Sequence, residues 1–370
     1  MRKKTGIRCV ALVVSLAVGL ECLEGCGFQR QIQVKAPKDG ELVNLANKDV
    51  AEYMETYQIG MDSSFPYYGQ GDHYAMQGVC LAWTDRKPSK RYELTISQNS
   101  DLSQAQTCVV DGSKAELTEL YVNTTYYWKV SRGSTESEIF SFQTADTPRT
   151  ITIDGVSNTR DIGGKTTSDG KKIRQGMAYR GAALDEITEE GKETFLNVYR
   201  IKTDLDLRNR GEGFQGDSPV GKEVTYLNYS CPYYANAKTG AATGIDSPQN
   251  YENLASALRV FADEDNYPVY FHCAIGRDRT SMVTMLLLGV CGVSKKDICA
   301  DYELSFFSQS GCSDGATVAD MVRNFNGTLD FIMQNGDSHG TLKDNCETYL
   351  LQIGLTQDEI DAIRQNLVEE

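Results

Sequence analysis

Residues 268–282 read PVYFHCAIGRDRTSM, an apolar run broken by a thiol and three closely spaced charges before helix-forming residues resume. The run VYF is too short for a helix and is bounded by Pro268, so a buried strand is expected there. Gly276 permits a sharp turn, and RTSMVTMLLLGV at 279–290 has the length and composition of a buried helix. A buried strand feeding a tight loop into a helix belongs to a sheet covered on both faces. The chain from 150 onward fits that frame, with the strand-like IKTDLDLR (201–208), the amphipathic YENLASALRVFADE (251–264) and a final helix opened by Thr356 and Glu359 in capping-box spacing. Residues 150–370 therefore read as an α/β domain with a mainly parallel central sheet flanked by helices.

The preceding stretch has a different character. Between 32 and 146 short alternating runs recur at VCLAWT (79–84), RYELTIS (91–97), TYYWKVSR (125–132) and EIFSFQT (138–144), separated by turn-rich segments at the spacing of an all-β sandwich. TADTPRT at 144–150 reads as the linker, and 370 residues accommodate a tail and two domains. The β region resembles a fibronectin type III domain: Trp83 stands at the position of its core tryptophan, Leu120 and Tyr126 at its leucine and tyrosine-corner positions, and FQT at its closing strand. The resemblance implies spacing or binding roles and no chemistry.

At the other end, basic MRKKTGIR precedes the apolar CVALVVSLAVGL (9–20), which is shorter than the ~20 residues a membrane-spanning helix needs. Residues 1–25 are expected to be an export signal. LEGCG at 23–27 resembles a bacterial lipobox, which implies lipid on Cys26; Glu24 departs from that pattern, so cleavage without lipid is the alternative. The expected location is extracytoplasmic, either membrane-anchored or secreted. Export permits disulfides, and of the eleven cysteines Cys80 with Cys108 and Cys312 with Cys346 are candidate pairs, buried reduced thiols being the other reading.

Composition excludes several classes. Lys plus Arg number 37 against 51 Asp plus Glu, a net charge of −14, so a nucleic-acid footprint is not expected and any anion site must be local. The three histidines, His73, His272 and His339, are far apart and no CxxC pair occurs, so neither a metal centre nor another cofactor is expected. GEGFQG at 211–216 fits GxGxxG, but Pro219 would end its helix early and no acidic residue follows at ribose distance, so a dinucleotide site is not expected.

The chemistry concentrates in residues 272–280. If the strand delivers Cys273 to the start of a helix, the amides of the following loop converge as an anion-binding nest at a helix N-terminus. Phosphate suits such a site. Cys273 beneath it is placed for in-line attack, and the planar fork of Arg279 can hold two phosphate oxygens and stabilise the charge of transfer.

HCAIGRDRT resembles the phosphate loop of the protein tyrosine phosphatases, and most closely their bacterial branch reading HCxxGKDRTG. NTRDIGG (158–164), YRGAAL (179–184), DLRNRGE (206–212), DYELS (301–305) and GLTQDEIDAIR (354–364) accompany it in the family's order. The resemblance implies that Cys273 forms a cysteinyl-phosphate and that Arg279 clamps the phosphate. It further implies that His272 positions the loop, that Ala274, Ile275 and Gly276 lend backbone to the oxyanion, and that Thr280 assists breakdown of the intermediate. Asp278 would protonate the leaving oxygen or simply cap the helix, with Asp217 and Asp246 as rival acids. Arg277 stands where the branch has lysine and would engage a second phosphate or a lipid headgroup; Ser281 replaces a glycine. Arg160, Asp161, Asp206 and Arg208 would line the pocket or form internal ion pairs.

The function this implies is an exported, metal-independent phosphatase acting on phosphotyrosine, with phosphoserine, phosphothreonine, phosphoinositide or inositol phosphate as further substrates. Three alternatives remain: a phytase-like inositol polyphosphate phosphatase, a non-catalytic adhesion lipoprotein presenting a phospholigand site, and a sulfur transferase using the same loop. The last leaves the accompanying motifs unexplained.

Overall fold

The computed structural model describes residues 8–10, 32–57, 75–212, 216–235, 244–314 and 317–370. Cys26, most of the leader and part of GEGFQG lie outside the described residues. The chain forms two compact units: Met1–Leu45 with Gln77–Thr147, and Ala46–Met76 with Pro148–Glu370. Among the described residues no helix is long and apolar enough to cross a membrane.

The first unit contains two sheets. One has the order β1 (Arg8–Val10), β7 (Lys114–Thr118), β4 (Val79–Asp85), β2 (Ile32–Ala36). The other runs β3 (Glu41–Val43), β10 (Phe140–Thr144), β8 (Thr125–Arg132), β5 (Arg91–Ser97), β6 (Gln106–Asp111), with β9 (Thr135–Glu136) paired to β8. Alternate residues are buried, among them Leu81 and Trp83 on β4 and Leu94 and Ile96 on β5, as a sheet with one covered face requires. Tyr126 accepts a hydrogen bond at its hydroxyl from the Tyr121 amide at 2.8 Å. Cys80 lies in the first sheet and Cys108 in the second, and the disulfide raised from the sequence is not formed. Cys346 is likewise a free buried thiol, packed against Gly289.

One segment departs from the all-β reading of 32–146. Lys48–Thr56 is a helix, α1, and Val50, Tyr53 and Tyr57 bury themselves in the core of the second unit. The physical reasons are local. Asn47 caps the helix by accepting from the Asp49 amide, and the apolar positions recur at helical spacing.

In the second unit five strands lie in the order β11 (Arg160–Asp161), β12 (Ala178–Gly181), β15 (Val269–His272), β13 (Thr203–Asp206), β14 (Thr225–Asn228). β11 is antiparallel to β12 and the other neighbours are parallel. β15 is central and wholly buried: Val269 and Phe271 enter the larger core, and Tyr270 enters a smaller one on the opposite face. The smaller core lies with α2 (Glu189–Glu193) and the π-helical turn that follows it. The larger is built by α3 (Tyr251–Arg259), α4 (Asp278–Val290), α5 (Lys295–Glu303), α6 (Val318–Asn335), α7 (Leu342–Gln352) and α8 (Gln357–Leu367). α4 carries apolar residues on every side and is accordingly buried all round, which fixes the loop that enters it. The Thr356–Glu359 capping box forms as expected at the start of α8.

Candidate active site

β15 ends at His272, and residues 273–277 turn into α4. The turn depends on Gly276, whose φ is +70° and whose position leaves no room for a side chain: a Cβ there would lie 2.3 Å from the Gly181 carbonyl. The loop carbonyls are pulled outward one after another. The Ala183 amide donates to Ala274 O at 3.1 Å, Asn158 Nδ2 to Ile275 O at 2.9 Å, Ser310 Oγ to the same oxygen at 3.2 Å, and Arg180 Nη2 to Gly276 O at 2.8 Å. With the carbonyls anchored, the opposite edges of these peptides turn inward. Among the described residues no group accepts from the amides of 274–280. Carbonyls held in this way leave the loop amides available to an anion, as a nest requires, and Cys273 is buried at the start of the loop.

Arg279 follows in the first turn of α4 and is buried. Its Nη2 pairs with Glu212 at 2.7 Å and its guanidinium lies 4.9 Å from the Tyr233 ring centroid, while Nε and Nη1 have no partner among the described residues. Burial acts to lower its pKa, but the charges of Cys273 and Glu212 outweigh that and hold it above its ordinary value. The Thr280 hydroxyl also lacks a partner among the described residues. A buried guanidinium with two unused donors is costly unless it meets an anion.

His272 supports the loop from below. Nε2 contacts Asp204 at 3.0 Å and Nδ1 the Cys273 carbonyl at 3.1 Å. Burial works against its charge, yet Asp204 and Asp206 raise its pKa above the usual value.

Other expected site residues prove to be scaffold. Arg160, read from the sequence as lining the pocket or forming an internal ion pair, forms the ion pair, donating to Asp301, Asn158 and Ser305. Asp161 accepts from Arg149 at 2.7 Å and from the amides of Gly163 and Gly176. Arg208 uses its fork on Asp206 and Asp185. Arg277 was expected to reach a second phosphate or headgroup; it is buried and spent on Asp278 (2.8 Å), Asp314 (2.6 Å) and the Gly311 carbonyl (2.6 Å). A fully engaged guanidinium has nothing left for a ligand.

Asp278 does not cap α4 through its side chain. Its carboxylate receives Arg277 and the hydroxyl of Tyr234, which lies 2.7 Å from that of Tyr302. Burial and the nearby Tyr302 and Asp278 push the Tyr234 phenol well above its ordinary pKa. Of the rival acids, Asp217 is exposed beside Ser218, and Asp246 lies against Gly244, which pairs with Tyr233; its charge acts on Tyr251 and Tyr349.

The hub behind the loop is Asp301, bonded by Arg160, Lys165 and Arg180. Burial opposes its charge, but those three cations hold it well below the usual carboxylate range. Arg180 spans from Asp301 to Thr284, Ser281 and Gly276 O. Arg180 and Asp301 fall in the YRGAAL and DYELS motifs, which flagged the segments without their roles. Glu212 likewise closes the DLRNRGE motif. Tyr233 and Tyr234 carried no sequence signal.

Comparison with known proteins agrees with the loop. A candidate tyrosine-protein phosphatase of Cupriavidus necator is 28% identical over 173 residues, covering 41% of this chain and 61% of that protein. A tyrosine-protein phosphatase of Nostoc commune is 28% identical over 143 residues, covering 34% of this chain and 47% of the relative. The match thus spans between about half and three fifths of those relatives' lengths. Among solved structures, the core catalytic domain of the PP-IP phosphatase SIW14 from S. cerevisiae aligns with 44% of this chain and 91% of its own at 15% identity and a TM-score of 0.28. Residues 151–369, more than half of the chain and including the whole of the loop, match the tyrosine phosphatase family, and the protein belongs to that family.

Proposed function

We propose that the protein is an exported phosphatase that hydrolyses phosphomonoesters through a cysteinyl-phosphate, with phosphotyrosine as the preferred substrate class. The observation that supports this reading is the loop itself: its carbonyls are anchored away from Cys273, its amides have no partner among the described residues, and two donors of the buried Arg279 are unused. The Cys273 thiolate attacks phosphorus, the phosphorus–ester oxygen bond breaks, and Asp278, in its protonated form, gives that proton to the departing oxygen. Water then attacks the phosphorus, returns a proton to Asp278 and releases inorganic phosphate as the sulfur–phosphorus bond breaks. The amides and Arg279 hold the equatorial oxygens in both steps.

The aryl preference rests on the groups around the clamp. Arg277 is turned inward, Glu212 places a negative charge at Arg279, and the Tyr233 ring offers an aromatic flank. A polyphosphorylated inositol would meet repulsion where it needs cations. Export is inferred from the leader, and lipid on Cys26 would anchor the product of its removal. The β unit is read as fibronectin type III-like, supported by buried Trp83 and by Tyr126 bonded back to the Tyr121 amide.

The test is turnover by purified protein and its Cys273→Ser variant on a phosphotyrosine peptide, a phosphoinositide and phytate. The expected result is hydrolysis of the phosphotyrosine peptide first, abolished by the substitution. No turnover of any substrate, or an equally active variant, returns the protein to the phospholigand-binding alternative; preference for phytate or the phosphoinositide overturns the substrate class alone.

A further inference from the structure

Residues 301–307 present two faces. Asp301 and Ser305 bond Arg160, Tyr302 meets Tyr234 beside Asp278, and the Phe306 ring lies 5.6 Å from the Arg277 guanidinium. These contacts reach the phosphate loop through Arg180 and Arg277. Glu303 and Phe307 meet the tyrosines of the α1 segment. Glu303 is buried, and its two carboxylate oxygens receive the hydroxyls of Tyr53 at 2.8 Å and Tyr57 at 3.0 Å. The ring of Phe307 lies 5.1 Å from that of Tyr53, and the two tyrosine rings lie 5.1 Å apart. One short segment is therefore gripped between the phosphate loop and a helix lying outside the residues that match the family.

We propose that Tyr53 of α1 and Tyr57 just after it are positioning residues for the phosphate loop, holding residues 301–307 in register through Glu303 so that Asp301 and Phe306 keep Arg160, Arg180 and Arg277 in place. A buried carboxylate is tolerated when donors face it, and a phenol is a donor of fixed reach on a rigid stem. Remove both phenols and Glu303 shifts to find others, carrying its neighbours with it. Displacement of about 1 Å in such a support is enough to cost about a hundredfold in a catalytic site. The inference rests on the phosphatase reading, and its test separates the two.

The variant is Tyr53→Phe with Tyr57→Phe in the full chain, which keeps both rings and removes both hydroxyls. Two quantities are read at a temperature where far-UV circular dichroism matches wild type: kcat on p-nitrophenyl phosphate, and affinity for orthovanadate by calorimetric titration. The expected result is a fall of about tenfold or more in both per folded molecule. Wild-type values in the folded variant overturn the inference, as does a loss that only tracks the unfolded fraction. If the double variant does not fold, Tyr57→Phe alone decides by the same two measurements. A wild-type protein that neither turns over the aryl phosphate nor binds orthovanadate overturns the phosphatase reading, and this inference with it.

Discussion

Asp278 is held from two sides, by the Arg277 fork and by the Tyr234 hydroxyl, so its carboxyl has one orientation. If it serves as the proposed general acid, it should matter only when the leaving group needs a proton. With Asp278→Asn, p-nitrophenyl phosphate should react nearly as in wild type, while an alkyl phosphate slows by about 10²–10⁴; equal slowing of both sinks the assignment. His272 offers a second residue-scale test. Its folded-state pKa is raised by Asp204 and Asp206, so its contribution to stability is complete below the ordinary histidine value of about 6.5 and is lost as pH rises through the folded value. Urea unfolding between about pH 6 and about pH 9 should show wild type losing more stability than His272→Asn over that span. Parallel curves for the two proteins would remove His272 as the source.

At the scale of elements, what could be read in advance was local. β15 announced itself by a short apolar run after proline, α8 by its capping box, and the turn into α4 by Gly276, since each is encoded by neighbours in sequence. The partners of the arginines were not legible in this way. Arg277 looked like a substrate contact because charge and position alone were visible, whereas its engagement with Asp314, 37 residues away, depends on how the segment after α5 folds back. Tyr53 and Glu303, 250 residues apart, represent the same limit at greater range. α1 was missed for another reason: its helical stripe is short and embedded among strands, so the surrounding period of two dominated the reading.

The whole molecule has two compact units of unlike construction, each with its own buried residues. Scanning calorimetry should therefore resolve two transitions, and orthovanadate at a hundred times its dissociation constant should stabilise only the unit containing Cys273, by about 2.7 kcal/mol. Movement of both transitions, or of the other one alone, would contradict that division. The anchored carbonyls of residues 274–276 carry a consequence for the working cycle as well. A cradle set before any ligand arrives measures an oxyanion's shape and charge and is blind to what the oxyanion is attached to. Inorganic phosphate satisfies it as well as an ester does. On the phosphatase reading the protein would thus be throttled by its own product, and discrimination between esters would fall to Tyr233 and Glu212 beside Arg279.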